Sequence, residues 1–344
     1  MPKPVKVAVL TQAQGAHLGT YLSSLAAIKE VEAVVLADPH GDTFALAKKA
    51  LKSKLKETAR DVGPLLKNFQ PQLALVTMEA ALAPPVIDRA LEAGCHVFAE
   101  KPSCVRAEDF EKLAAKAERK HRHLMLALAN RSHPSVQYAR KLIADGKLGK
   151  LYAVEIHQVA DQTRLKQESY RKAWFCHQAR AGGGHLLWLG IHWLDLVHHI
   201  TGLVVKQVAG FAGVVGGQPL DVEDSAAVAL RYDNGSFGTM TSGYYLDKGY
   251  HSHIKVWGEH GWLRLASIED EPLEWYGARD VKEPRLQKFT YPKGERGYTP
   301  FVRSAVRACA GLEDAPITGA ECLLVLKTIF AFYEAVRTGR SQSV

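Results

Sequence analysis

The most chemically pointed stretch of the chain is Gly182-Gly-Gly-His185-Leu-Leu-Trp188-Leu-Gly-Ile-His192-Trp-Leu-Asp195. A glycine turn leads into an apolar helical run, and the spacing of four puts Trp188 and His192 on one helix face. His185, three residues before Trp188, shares that face in a regular helix. An imidazole held this way can take a proton from a bound hydroxyl near neutral pH. A second reactive group, Lys101, stands in Ala99-Glu100-Lys101-Pro102 just past a short apolar run. A lysine there can hydrogen-bond a hydroxyl or oxyanion and favour its ionised form. Together these residues suit the activation of an alcohol.

Further candidates follow the same logic. His157 alternates with Glu155 and Val159 in Glu155-Ile-His157-Gln-Val-Ala-Asp161, hence on one face of a strand. With Glu155 or Asp161 it offers donors for a divalent metal, as do His251 and His253 beside a later turn. No compact His-Glu-x-x-His pattern is present, so a polar sugar-binding cleft without a metal is the expectation. Trp174, Tyr170, Tyr244 and Tyr245 can stack on the C–H face of a sugar ring; core packing is the competing reading for Trp174 and Tyr244. Arg164, Lys166 and Arg171 can hold a carboxylate, or simply line a solvated loop. His157, Arg164, Trp174, His185 and Tyr244 are thus the expected substrate contacts.

The elements that must position these groups read clearly. Val5–Leu10, Val31–Ala37, Leu73–Val76, His96–Ala99 and Leu124–Ala129 are short continuous apolar runs, the mark of parallel strands buried on both faces. Helical patterns alternate with them, so the spacing predicts a doubly wound α/β domain. The lysines at 48, 49, 52, 54 and 56 read as the wet face of one helix. After Tyr152 strands dominate, and Asp233-Asn234-Gly235 between two of them predicts a hairpin with a type I′ turn. An antiparallel sheet with one face covered by the helix around residues 185–200 follows. The expected domains are 1–130 and 131–344.

In the first domain Asp38 ends the second strand, where an acid can bind ribose hydroxyls and repel a 2′-phosphate. No arginine follows it immediately, so NAD is preferred over NADP. The preceding turn, Thr11-Gln-Ala13-Gln-Gly15-Ala16, keeps small residues but only one glycine of the usual Gly-x-Gly-x-x-Gly.

The 344 residues carry 47% hydrophobic and 23% charged side chains, as in a globular protein of two domains. No apolar run approaches the ~20 residues of a membrane span. Five scattered cysteines, without a Cys-x-x-Cys pair, fit a reducing compartment, and the N-terminus lacks the pattern of a signal peptide, so a cytoplasmic protein is expected. The net charge of +8 is dispersed, without the basic-aromatic interleaving of nucleic-acid platforms. No nucleic acid and no membrane is expected as partner; an anionic small molecule uses the charge better, and a solvated surface that binds nothing accounts for it more readily than either.

Ala90-Leu-Glu92-Ala-Gly94-Cys-His96-Val-Phe-Ala-Glu100-Lys101-Pro102 resembles the Glu-Lys-Pro segment of the Gfo/Idh/MocA oxidoreductases. His133-Pro134 with Gly146-Lys-Leu-Gly149, the run Ala181–Leu196, Glu223-Asp224-Ser with Asn234-Gly235-Ser-Phe-Gly238, Val256-Trp-Gly258 and Thr318-Gly-Ala-Glu-Cys match the family in order. The resemblance implies a Rossmann doubly wound parallel sheet followed by an α/β domain with an open, mainly antiparallel sheet. It also implies NAD as cofactor, a sugar, polyol or sugar acid as substrate, and a homodimer or homotetramer formed through the open sheet.

The family's catalytic lysine falls on Lys101 and its histidine on His192. Its aspartate falls on Trp188, whose indole cannot accept a proton. The nucleotide wall falls on Thr11, Ala13, Gly15, Ala16, Asp38, Thr77, Glu79, Glu100 and Lys101, with Thr77-Met-Glu79 where the family has Thr-Pro-Asn. The expected activity is NAD-dependent oxidoreduction with His192 as acid/base and Lys101 orienting the hydroxyl. A lyase or glycoside-cleaving reaction on the same fold, or a sugar or nucleotide sensor, are the alternatives that the departures raise.

Overall fold

The computed structural model describes residues 4–266, 272–278, 282–290 and 297–344. The chain forms two compact units. The described residues up to Ala129, with Ala179–Gly182 and the stretch from Gly297 to Leu323, make the first; the rest make the second. The first unit's opening segment ends at Ala129, ahead of the strand-rich stretch that begins near Tyr152. The return of Gly297–Leu323 to the first unit is not legible in the sequence, because its helix Tyr298–Cys309 looks like any amphipathic helix until its partners are known. Those partners are in the first unit: Thr299 hydroxyl meets Ser24 hydroxyl at 2.8 Å, and Arg307 donates to Glu30 at 2.6 Å.

The first unit holds a six-stranded parallel sheet of β1 (Val5–Thr11), β2 (Val31–Ala37), β3 (Leu55–Ala59), β4 (Leu73–Thr77), β5 (His96–Ala99) and β6 (Leu124–Leu126). Their order is β3-β2-β1-β4-β5-β6, the dinucleotide-binding arrangement in which ligands bind outside the carboxyl ends of the central strands. All of β4 is buried and β1 nearly so, as apolar runs flanked by helices require. β3 corrects the single-helix reading of the lysines. The helix Phe44–Leu51 carries only Lys48 and Lys49 of the five. Lys52 adopts φ 49° and ends it, Lys54 donates to the carbonyls of Leu25 and Ile28, and Lys56 lies on the sheet edge. Charged side chains at an edge keep it from pairing with another strand.

The second unit holds a nine-stranded mixed sheet. Its strands are β7 (Leu151–Asp161), β8 (Val205–Gly213), β9 (Ser225–Tyr232), β10 (Phe237–Leu246), β11 (Tyr250–Gly258), β12 (Gly261–Leu265), β13 (Leu273–Gly277), β14 (Gln287–Phe289) and β15 (Gln342–Ser343). The order is β14-β13-β12-β11-β7-β10-β9-β8-β15, antiparallel except for β7 beside β10. The β9–β10 hairpin is present, but not as a type I′ turn. Such a turn needs positive φ at two residues, and only Gly235 has it, at 84°. The Gly235 N–H donates to Tyr232 and the Asn234 side chain to Leu151.

One face of this sheet packs against a π-helical turn, Leu186–Gly190, that runs into the α-helix Ile191–Thr201. Met240, Ile156, Ile254 and Val256 are buried on that face. The α-helix ends at Gly202 in the left-handed conformation, φ 70°. No helix is long and apolar enough to cross a membrane among the described residues.

Candidate active site

In the first unit, the turn after β1 is tied to the end of β4. Thr11 hydroxyl donates to the Thr77 carbonyl at 2.9 Å, and Thr77 hydroxyl donates to the Ala16 carbonyl at 2.7 Å. A Cβ on Gly15 would stand 2.6 Å from both Thr11 Oγ1 and Thr77 O, so this glycine is required by close packing. The turn reaches left-handed φ at Gln14 (67°) and His17 (58°), a steric cost that glycine would not carry. Thr11, Gly15, Ala16 and Thr77 thus form one knot, with Ala13 exposed at its tip. The turn delivers the N-terminus of the helix Leu18–Ala27 to the carboxyl edge of the sheet, where unpaired backbone N–H groups suit a pyrophosphate.

Asp38 and Glu79 have partners that the sequence did not announce. The Asp38 carboxylate is fully buried and accepts from His40 N–H at 3.0 Å and from Thr43 N–H and hydroxyl at 2.9 and 2.8 Å. Burial pushes its pKa up, but these bonds outweigh it and the group lies below the ordinary carboxylate value. Its visible work is to fold the loop after β2. Glu79 forms a two-pronged ion pair with Arg180, with the guanidinium Nε at 2.8 Å. The Glu79 carboxylate is therefore neutralised within its own unit.

Beyond β5, Glu100 accepts from Tyr21 hydroxyl and lies 3.0 Å from His17 Nδ1. Its Oε1 is buried and has no hydrogen-bond partner among the described residues. Lys101 follows at 1% exposure. Burial lowers its pKa to about 8, against the opposing pull of the Glu100 charge.

In the second unit, a carboxylate missed in the sequence organises the glycine turn. Glu223 Oε2 accepts from Gly184 N–H at 2.7 Å, while Oε1 accepts from Leu186 N–H at 3.0 Å and Tyr333 hydroxyl at 2.9 Å. The Glu223 carbonyl accepts from His185 N–H, and a Cβ on Gly184 would overlap it at 2.0 Å. Three orphan N–H groups at the start of the helical run are satisfied this way. Burial raises the Glu223 pKa to about 7, partly offset by these bonds. Farther along, Asp195 is held by Arg131 through contacts of 2.7 to 3.1 Å, both side chains buried. His192 and Trp188 thus ride on a segment fastened at both ends.

The expected face of His185, Trp188 and His192 divides. Trp188 and His192 stay partly exposed. His185 turns to the sheet at 1% exposure, with Nδ1 2.7 Å from Ser242 hydroxyl and its ring edge-on to Tyr244 at 4.4 Å. Burial lowers its pKa to about 3, so it is a neutral core histidine. The π turn changes the spacing just here, which the i, i+4 rule does not foresee.

The Trp188 indole stacks on Phe175 at 4.3 Å and 8°, and stands edge-on to Trp174 at 5.3 Å. Trp174 itself is 1% exposed, and Tyr244 is buried with its hydroxyl 2.8 Å from that of Tyr170. Both are core side chains rather than open platforms, because large aromatics bury where neighbours of matching shape exist. Arg164 covers the Tyr250 ring at 4.7 Å.

His157 belongs to a different place. It pairs in register with Thr241 and His253, one residue out of phase with Ser242, Gln158 and Ser252 on the helix-covered side, so it points to the opposite face of the sheet. His251 and His253 both lie within β11, after the turn at 247–249 rather than on its two sides.

Two family models match the chain. One, described as "Oxidoreductase family, NAD-binding Rossmann fold", covers residues 29–128. The other, "GFO/IDH/MocA C-terminal domain", covers residues 136–264. Among curated proteins, dTDP-3,4-didehydro-2,6-dideoxy-alpha-D-glucose 3-reductase of Saccharopolyspora spinosa is 26% identical over 93% of this chain and 92% of its own. Among solved structures, an oxidoreductase domain protein from Kribbella flavida has a TM-score of 0.89 at 21% identity, covering 100% of both chains. Levoglucosan dehydrogenase in complex with NADH and L-sorbose has a TM-score of 0.87 at 18% identity, covering 99% of both. These likenesses to solved structures show the fold.

Proposed function

The chain belongs to the Gfo/Idh/MocA oxidoreductase family, and from that premise we propose that it interconverts a hydroxyl and a carbonyl group on a carbohydrate, polyol or sugar acid, with NAD as hydride carrier. The residues present fit that cofactor. Gly15 and the start of the helix Leu18–Ala27 offer a close backbone approach to a pyrophosphate, and the strand order supplies the crevice. NAD would supply the acceptor or donor of hydride. Asp38 keeps a buried negative charge at the end of β2, which disfavours a 2′-phosphate, so NAD is preferred over NADP.

Lys101 hydrogen-bonds the reacting oxygen and stabilises its negative charge as the hydroxyl ionises. His192 takes the proton and returns it in the reverse direction. Trp188 does neither. Stacked on Phe175, it forms an apolar wall that excludes water and sets how the substrate lies. The observation that carries this reading is the position of the buried Lys101, whose pKa is lowered to about 8, at the carboxyl end of β5, where doubly wound sheets bind their ligands.

The dispersed positive charge favours a sugar acid over a neutral sugar, and the family name of the S. spinosa relative, a sugar reductase, agrees with the substrate class. Calorimetric titration with NAD and NADP, followed by a panel of polyols, sugars and uronates, tests the proposal. NAD should bind more tightly, and acids should turn over faster than their neutral counterparts. No binding of either nucleotide at millimolar levels would remove it.

A further inference from the structure

We infer that the open face of the second unit's sheet carries a zinc site formed by Glu155, His157 and His253. The three side chains come from the adjacent antiparallel strands β7 and β11, with His157 and His253 directly opposite in register. Their rings lie face to face, centroids 4.4 Å apart at 15°. Both rings turn Nε2 to the same oxygen: Glu155 Oε1 is 2.9 Å from His253 Nε2 and 3.3 Å from His157 Nε2. The ligand atoms of all three residues lie within 4.8 Å of one another.

These separations suit the ion. Zinc bonds of ~2.0–2.1 Å to nitrogen and oxygen in a tetrahedron put neighbouring ligand atoms about 3.3–3.4 Å apart. The Glu155–His157 edge of 3.3 Å already has that length and the Glu155–His253 edge of 2.9 Å is shorter, so binding the ion requires the side chains to spread and the two stacked rings to tilt toward it. Two imidazoles and one carboxylate are a borderline-soft donor set that selects zinc over calcium or magnesium. All three side chains are only partly buried, which leaves the fourth position open. Two neutral imidazoles beside one carboxylate give their lone pairs to a dication, which also clamps β7 to β11. The site lies on the face opposite Ser242, Gln158 and Ser252, so it is separate from the proposed chemistry at His192.

The test uses untagged protein freed of metal with EDTA and titrated with zinc chloride by calorimetry. One zinc per chain should bind, and cobalt(II) should show the intense visible absorption of tetrahedral coordination. His157→Ala and His253→Ala should each abolish the site. Glu155→Gln, which keeps the shape and guards against misfolding of the alanine variants, should weaken it by more than the roughly 10–100-fold that loss of an outer-shell partner costs. His251→Ala should retain it. Absence of stoichiometric zinc in the wild type, or full binding by His157→Ala and His253→Ala, would overturn the assignment.

Discussion

The carboxylate of Glu223 accepts a hydrogen bond from the Tyr333 hydroxyl at 2.9 Å while the same group caps the N–H groups of Gly184 and Leu186. A residue on the loop before β9 therefore fixes where the segment bearing Trp188 and His192 begins. Replacement by alanine leaves two helix-start donors and a buried hydroxyl unsatisfied, at a cost of about 1–2 kcal/mol for the cap alone. Glu223→Ala should lower the midpoint of thermal unfolding and reduce kcat, and Glu223→Gln should recover part of both. Calorimetry and steady-state kinetics on the pair check this; an Ala variant with wild-type kcat would show that the cap does not position the helix.

The pKa of Glu223, raised by burial to about 7 from 4.5, also fixes a sign. Between these values the folded state binds more protons than the unfolded state, so this group's contribution to stability falls as pH rises through that window. Lys101 behaves in the mirrored sense. Its folded pKa is lowered from 10.5 to about 8, so the unfolded state binds more protons between those values and stability gains from this group as pH rises.

For activity the Lys101 sign is opposite. The ammonium form is lost above about pH 8, so kcat/KM should fall on the alkaline side with a midpoint near that value. Arginine does not deprotonate in proteins. Lys101→Arg should therefore give a slower enzyme whose profile lacks that descending limb. A limb unmoved by the substitution would assign it to another group.

Trp188 gives a contest between two readings. As an apolar wall stacked on Phe175, it should tolerate phenylalanine and not aspartate. Trp188→Phe should keep most turnover of the native substrate, while Trp188→Asp should lose most of it. Equal or higher activity in Trp188→Asp would mean that the position still works as the family's aspartate.

The exposed face of the sheet in the second unit predicts assembly. Phe211 and Phe237 are 83% and 59% exposed on the same face as Thr241 and His157. Large apolar side chains grouped on an uncovered sheet usually meet a partner. Light scattering at micromolar concentration should report a dimer or tetramer, and Phe211→Lys should shift it toward monomer. A monomeric wild type would contradict this.

The sequence makes both sheets legible where pattern and position coincide: five apolar runs give five of the six parallel strands, and Asn234-Gly235 marks its hairpin. β3 escapes because Leu55-Lys-Glu-Thr-Ala59, an edge strand, has no need of apolar continuity. Alternation along β7 correctly groups Glu155 with His157, yet nothing local says which side of the sheet the helix will cover. Glu223 lies far along the chain from the turn that it caps, so its role exists only in the folded chain. Trp174 and His185 look like cleft residues by type, and only the neighbours Phe175 and Tyr244 reveal them as core.

The central claim is that Lys101 and His192 carry an NAD-dependent oxidation of a carbohydrate hydroxyl. The most direct test follows the appearance of NADH absorbance with the best substrate of the panel, for the wild type, Lys101→Ala and His192→Ala. Loss of a general base should lower kcat by a factor of about 10² to 10⁴ in His192→Ala, and Lys101→Ala should be comparably impaired. Full turnover by both variants, or turnover that does not need NAD, would contradict the account.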